Sequence, residues 1–143
     1  ETLLKVTTMK KDDAETKFAM ASKKLAEERE RLNVLLLEMQ QGQRDYDALQ
    51  GEGVKVTVGR LMAFNSFFAW KRGQIEEQQN VILKAKAEQQ KRLKELTDVM
   101  SYLKSIEQLK EKRFREYQAE AMAEEQKMLD EIGLQLSARH KGF

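Results

Sequence analysis

Two long helical patterns, separated by one glycine-rich stretch, constrain what this chain can fold into. Segment 51–59 holds three of the seven glycines, and the chain has no proline, so this segment is the strongest break in the sequence. On both sides of it, apolar residues recur with helical spacing. Because a short break between two long helices allows the second to fold back along the first, the sequence predicts an antiparallel helical hairpin.

The predicted fold class is all-α, a long two-helix antiparallel coiled-coil hairpin that forms a single domain over residues 1–143. The first helix is predicted over about residues 2–50, the turn over about 51–57, and the second helix over about 58–138. The second helix is therefore longer than the first. We expect it to fray after Gly133.

The predicted turn has its own sequence signals. Val54, Val56 and Val58 alternate with polar residues, which is typical of a short extended piece. Thr57 is a good N-cap for the second helix. Farther along, Gly73 is a candidate for a bend in that helix.

Each predicted helix carries a heptad seam, a stripe of residues spaced alternately three and four apart. The seam of the first helix comprises Leu4, Thr7, Ala14, Phe18, Ala21, Leu25, Leu32, Leu35, Met39, Tyr46 and Leu49, with Lys11, Glu28 and Gly42 as exceptions. The seam of the second helix comprises Leu61, Phe64, Phe68, Ile75, Ile82, Ala85, Leu93, Leu96, Met100, Leu103 and Ile106, interrupted by Gln78 and Gln89. Gly42 is interpreted as a weak point that costs about 1 kcal/mol relative to Ala.

The position of the turn sets the pairing of the two seams. A turn centred near residues 54–55 places Leu35 near Ile75, and the first helix then runs out near residue 109. Roughly 30 residues of the second helix are thus predicted to extend beyond the first, at 1.5 Å per residue. A lone charged helix is only marginally stable in water, so we expect this extension to bind a partner.

Composition and motifs argue against catalysis, cofactors and metals. Charged residues make up 35% of the chain and cysteine is absent, so no thiolate site is expected. The single histidine, His140, lies near the end. The adjacent pairs Asp12–Asp13 and Glu124–Glu125 point to different sides of a helix. We predict a non-enzymatic protein with no cofactor. No apolar run is long enough to insert into a membrane.

Two groups of residues are candidate binding sites. The first is an aromatic group just past the turn, made of Phe64, Phe67, Phe68 and Trp70, with Tyr46 opposite. Phe64 and Phe68 fit the seam, whereas Phe67 and Trp70 lie off it and serve either local packing or partner binding. The second group lies in the extension, around Lys110, Lys112, Arg113, Arg115 and Tyr117. It is either a solvated helix surface or a helix awaiting a partner.

At this extension the sequence resembles a known family. The segments Leu109-Lys-Glu-Lys-Arg113, Glu116-Tyr117 with Glu120, Glu124-Glu-Gln-Lys127 and Leu129-Asp-Glu131 are similar to the C-terminal pattern of FliJ, a small protein of the flagellar type III export apparatus. The opening agrees, with Leu3-Leu-Lys-Val6, the basic pair Lys10-Lys11 and Asp12-Asp-Ala14. The resemblance covers nearly the whole chain.

The resemblance implies a stalk similar to that of rotary ATPases. It implies binding to the hexameric export ATPase, promotion of its assembly or activity, and contacts with the export gate, a membrane protein, and with export chaperones. It also implies a cytoplasmic protein, peripherally associated with the inner membrane at the flagellar base. The ATPase-contact candidates are Lys110, Lys112, Arg113, Arg115 and Tyr117, and the gate-contact candidates are Tyr46, Phe64, Phe67, Phe68 and Trp70. Gly42, Lys71 and Gln78 stand where larger or more typical residues are expected.

Three other readings of the sequence stay open. One is the equivalent stalk of a virulence-type type III secretion system. Another is a structural coiled coil that dimerises through the extension, for which a stable dimer in solution would be the mark. The third is an RNA-binding arm using the mildly basic segment 57–106, which has nine basic and five acidic residues. So small an excess of positive charge argues against nucleic acid as a partner.

Overall fold

The chain folds into two helices that pack against each other. A computed structural model describes residues 2–51 and 56–141. Helix α1 spans Thr2–Gly51 (50 residues) and helix α2 spans Val58–Lys141 (84 residues). Within the described ranges no residue belongs to a strand. The predicted all-α class, with the second helix longer than the first, is confirmed.

The start of α2 is capped as the sequence predicts. The backbone N–H of Arg60 donates to the Thr57 hydroxyl oxygen at 3.2 Å, which satisfies one of the free donors at the helix start. Helix α2 begins at Val58, where the second helix is predicted to start, so Val58 belongs to the helix and not to the extended piece. Val54, at its other end, lies outside the described residues. Gly51 belongs to α1 rather than to the turn.

Helix α2 has no break along its length. It continues through Gly73, so the predicted bend there is not a break in the helix. It also continues past Gly133 to Lys141, beyond its predicted end near residue 138, and fraying after Gly133 stays a prediction. The chain divides into two compact units: one is Met9–Val99, and the other combines Glu1–Thr8 with Met100–Phe143.

In the unit Met9–Val99, one face of α1 is covered by α2. Ala14, Ala21, Leu25 and Leu35 are buried, and the residues between them on the same face are half-buried. These covered positions alternate three and four residues apart, and they are Lys11, Ala14, Phe18, Ala21, Leu25, Glu28, Leu32, Leu35, Met39, Gly42, Tyr46 and Leu49. The predicted seam of α1 is confirmed, including its three exceptions.

The seam of α2 differs from the prediction in its second half. The prediction placed Leu93 and Met100 in it, but both are exposed, at 45% and 50%. The half-buried positions are Arg92 and Val99 instead. The reason is that the alternating spacing runs without a break through the polar positions, as Phe68, Lys71, Ile75, Gln78, Ile82, Ala85, Gln89, Arg92, Leu96 and Val99. The prediction treated Gln89 as an interruption. It therefore chose Leu93 and Met100, each one residue past the covered position.

Arg92 lies at this corrected seam position because neighbours on its own helix satisfy its charge. Its Nε donates to Glu88 at 2.8 Å and its Nη1 to Glu95 at 3.1 Å. The hydrogen bond to Glu88, with the one to Glu95, raises the pKa of Arg92 above its usual value. The guanidinium thus stays a cation while the stem of the side chain covers the seam.

Three polar contacts between the helices show their antiparallel register. Lys71 Nζ donates to Glu38 Oε2 at 3.0 Å. Gln78 Nε2 donates to the backbone carbonyl of Glu28 at 2.9 Å, and Gln89 Nε2 to the Ser22 hydroxyl at 3.0 Å. Each contact joins positions almost equally far along the chain from residues 54–55. This is the register that the sequence predicts.

The second unit shows where the cover of α2 ends. Thr7 is buried, and its hydroxyl donates to the Leu3 carbonyl at 2.8 Å. Leu3 and Leu4 line a groove of about 270 Å³ together with Ile106, Leu109, Lys110 and Arg113. Residues 107–140 of α2 are all exposed. We call this segment the overhang.

Candidate functional site

Four rings of the aromatic group form one connected cluster in the unit Met9–Val99, and Lys71 links Trp70 to it. We call Tyr46, Phe64, Phe67, Phe68 and Trp70 the tip cluster. Tyr46 of α1 lies edge-on to Phe64 and Phe68 of α2, with ring centres 5.4 and 6.3 Å apart. The Gln50 side-chain amide donates to the Tyr46 hydroxyl oxygen at 2.8 Å. Each edge-to-face pair contributes about 0.5–1.5 kcal/mol, so these three rings hold the helices together.

Phe67 packs between the helices, which is the local packing role that the sequence left open beside partner binding. It is half-buried and lies edge-on to Phe68, with ring centres 5.5 Å apart. Its ring also covers Gly42: a Cβ at position 42 would meet Cε2 of Phe67 most closely and Cζ at 3.1 Å. The missing side chain at Gly42 therefore leaves the space that the Phe67 ring occupies. The helix-propensity cost assigned to Gly42 stays a prediction, and the Phe67 ring adds a packing reason for glycine at this position.

Trp70 is the member of the tip cluster that faces solvent, with 61% of its surface exposed. The ammonium of Lys71 lies 5.0 Å from the centre of the Trp70 ring and 5.8 Å from that of Phe67. Lys71 itself is only 4% exposed and pairs with Glu38. The buried cation thus holds the exposed ring in place through a cation–π contact.

A shallow groove lies beside the tip cluster. It encloses about 330 Å³ and is lined by Gly42, Asp45, Arg60, Ala63, Phe64 and Phe67. Apolar side chains dominate its walls, and Asp45 and Arg60 give it one charge of each sign. Such a groove, next to an exposed indole, has the character of a protein-binding surface with an aromatic anchor.

We expect Gly42→Ala and Gly73→Ala to change stability in opposite directions. At Gly73 a Cβ meets nothing within 4 Å, so Ala should stabilise the helix by up to about 1 kcal/mol. At Gly42 the Cβ displaces the Phe67 ring, and overpacking of this kind costs about 1–3 kcal/mol. Urea unfolding of both variants measures the difference.

A second background separates the clash of an alanine side chain at position 42 with the Phe67 ring from the effect of alanine on helix propensity. In a Phe67→Ala background the obstacle is gone, so Gly42→Ala should then stabilise the chain as Gly73→Ala does. If Gly42→Ala destabilises equally in both backgrounds, the Phe67 ring is not what requires glycine at this position.

The second candidate group lies in the other unit, at the start of the overhang. We call Lys110, Lys112, Arg113 and Arg115 the basic cluster. Helical spacing puts Lys110, Arg113 and the 69%-exposed Tyr117 on one face, and Lys112 and Arg115 on another. Arg115 pairs with Glu111 at 2.8 Å. The predicted residues therefore present positive charge on two faces of the helix.

Comparison with known proteins identifies the family. The family model described as "Flagellar FliJ protein" matches residues 1–142. The chain belongs to the FliJ family. No curated protein and no solved structure gives a match. Membership makes the chain a component of the flagellar export apparatus, in a family of structural and adaptor proteins.

The described part of this FliJ family chain holds no group of metal ligands. Among the described residues no three His, Asp or Glu side chains lie close enough to hold a metal ion. His140 is exposed at the end of α2. None of the helices in the described ranges is long and apolar enough to cross a membrane.

Sequence reasoning missed two features of the tip cluster. The first is the ion pair of the buried Lys71 with the exposed Glu38, and the second is the fit of Phe67 over Gly42. A signal for the first was present, because Lys71 lies three residues after Phe68 and four before Ile75, on the heptad spacing. The second had no such signal, since it depends on the contact between α1 and α2.

Proposed function

We propose that the chain is a non-enzymatic stalk and adaptor of flagellar protein export. Its overhang binds the export ATPase hexamer and promotes assembly or activity of the ring. Its tip cluster contacts the export gate, and its helices also serve as a docking surface for export chaperones. The exposure of every residue from 107 to 140, in a chain of the FliJ family, is the observation that carries this proposal.

The overhang has the physical character of a helix that is surrounded by a ring. A helix inside six identical subunits cannot match all of them at once, so scattered long polar side chains suit it better than one apolar seam. In the overhang the basic cluster presents charge on two faces. The Arg115 side chain is 69% exposed. Tyr117 is also 69% exposed. Cations on two faces are able to meet acidic loops of more than one subunit.

The tip cluster supports the gate contact. Trp70 is the exposed aromatic anchor, and the apolar groove beside Phe67 offers a place for a partner side chain. Tyr46, Phe64 and Phe68 support this surface from within the helix pair. Binding to a membrane-embedded gate would place the protein at the cytoplasmic face of the inner membrane, at the flagellar base, without insertion of its own helices.

The proposal is tested by adding the purified chain to the export ATPase of the same organism. ATP hydrolysis should rise as the chain is added, and the rise should be smaller at high salt because exposed charges are then screened. The ATPase alone at each salt concentration is the control. Hydrolysis that does not respond to the chain at low salt contradicts the stalk function.

A further inference from the structure

The spacing of apolar residues in α2 changes where the overhang begins. If the heptad seam continued past Leu103 and Ile106, it would reach mostly charged residues, namely Lys110, Arg113, Glu120, Glu124, Lys127 and Glu131. An 11-residue spacing fits the overhang better. Phe114 and Tyr117 lie eleven residues after Leu103 and Ile106, and Met128 lies eleven after Tyr117. Such a repeat, 3.67 residues per turn, produces a straight or slightly right-handed pairing of helices.

These residues form a second apolar stripe that is exposed along its length. Its members at 11-residue spacing are Phe114, Tyr117, Ala121, Glu125, Met128 and Ile132. Phe114 is 59% exposed and Met128 is 60% exposed. A stripe with a regular period and an almost apolar sequence is a surface for another helix.

The charges around the stripe are divided by sign. Segment 110–115 has four basic residues and one acidic residue, whereas segment 116–131 has six acidic residues and one basic residue. A parallel copy of the same helix would place like charges side by side. An antiparallel copy places the basic segment of each chain beside the acidic segment of the other.

We propose that the overhang pairs antiparallel with the overhang of a second copy of this chain, with Ala121 facing Ala121 across the two-fold axis. This alignment puts Phe114 opposite Met128, and Tyr117 opposite Glu125, whose carboxylate accepts a hydrogen bond from the Tyr117 hydroxyl. Alanine at the axis allows the two helices to approach closely. The interface is isologous, so each of the other layers occurs twice.

Arg113 supplies the main charge contact of this alignment. It lies at the edge of the stripe, on the same side as Glu124 and Glu131. In the antiparallel pair, Arg113 of one copy lies between Glu124 and Glu131 of the other. The opposite edge carries Met122 and Leu129, which are 70% and 56% exposed and widen the apolar contact.

Helix α1 limits how far the pairing extends. Leu3 and Leu4 already lie beside Ile106 and Leu109, so the second helix has no room beyond about the level of Lys110. The paired segment thus ends near Ile132 of the partner. Gly133 follows directly and adds no side chain to the contact.

Self-pairing goes beyond the proposed stalk function and does not depend on it. A stable dimer also fits the structural coiled coil considered above, so the ATPase experiment, and not the dimer, separates that reading from a stalk that pairs with itself. When no other protein is bound, the overhang of the second copy covers the apolar stripe. Another partner that binds the overhang would have to displace this second copy. Because the test uses the isolated chain, a failure of self-pairing leaves the ATPase experiment unaffected, and the reverse also holds.

Sedimentation equilibrium and cross-linking test the pairing. The full chain should sediment as a concentration-dependent dimer, and Phe114→Glu with Met128→Glu should sediment as a monomer with unchanged helical content. Leu134→Glu, on the opposite face, is the matched control and should remain dimeric. A native chain that is monomeric at all concentrations overturns the proposal.

The register is tested separately with single thiols, since the chain has no cysteine. Ala121→Cys should be linked into dimers by a short bismaleimide. Ala119→Cys, which faces away from the stripe, should stay largely unlinked at the same concentration. Equal linking of both variants, or linking of Ala119→Cys alone, overturns the antiparallel register about Ala121.

Discussion

Reversing Lys110, Arg113 and Arg115 to Glu is expected to abolish the stimulation of the export ATPase by this chain. The change replaces three cations at the start of the overhang with anions. If acidic loops of the ring bind this basic cluster, each contact becomes a repulsion, and like charges across an interface cost several kcal/mol in total. The measurement is ATP hydrolysis against added chain at low salt.

The variant should remain folded, because the basic cluster lies outside the covered face of the helix pair. The ion pair between Arg115 and Glu111 is exposed, and pairs of this kind contribute only about 0.3–0.5 kcal/mol. Circular dichroism and the melting temperature should therefore change little.

The control variant carries the same change of charge elsewhere. Lys84, Lys86 and Lys91 are exposed residues of the unit Met9–Val99, and reversing them to Glu should leave stimulation intact. Equal loss in both variants would show that net charge, and not the position of the basic cluster, governs the effect. Full stimulation by the overhang variant would show that the basic cluster is not the ring contact.

Trp70→Ala should weaken binding to the export gate by more than about tenfold while leaving the fold intact. Aromatic anchors at the centre of an interface contribute about 2 kcal/mol or more. Trp70 is 61% exposed, so its removal takes little from the packing of α1 against α2. Binding to purified gate protein in detergent measures the first effect, and urea unfolding the second.

Phe67→Ala is the informative comparison, because its ring lies over Gly42 and against Phe68. A half-buried phenylalanine in such a contact should cost about 2 kcal/mol of stability when truncated. If Trp70→Ala destabilises the chain as much as Phe67→Ala does, Trp70 is part of the core. If Trp70→Ala binds the gate as tightly as the native chain, the tip cluster is not the gate contact.

The face of α2 that packs on α1 was only partly predictable. The prediction gave preference to apolar residues and placed Leu93 and Met100 in the seam, but both are exposed. The covered face of α2 instead keeps the heptad spacing, so that Arg92 and Val99 are half-buried. Position on the helix outweighs side-chain type here, because a rotation of α2 that buried Leu93 would turn the residues before it off the seam. Arg92 tolerates the position through its hydrogen bonds to Glu88 and Glu95.

The two candidate surfaces were predictable to different degrees. The exposure of the overhang follows from the unequal lengths of the helices, which the sequence shows. The basic cluster was predicted residue by residue, although its division between two faces emerges only when helical spacing is applied to it. In the tip cluster, the sequence placed Phe67 and Trp70 together off the seam, and only the structure distinguishes the exposed Trp70 from the half-buried Phe67.

Periodicity and one break in the chain were enough to determine the helices, the antiparallel register and the excess length of α2. These properties depend on the spacing of residues close in sequence and on the position of a single turn, so they can be predicted from the sequence alone. The tertiary structure alone decided that the Phe67 ring occupies the space left by Gly42, and that Glu38 is the partner of Lys71. Both contacts join residues of different helices. Their fit depends on how closely the helices approach, which no local pattern in the sequence records.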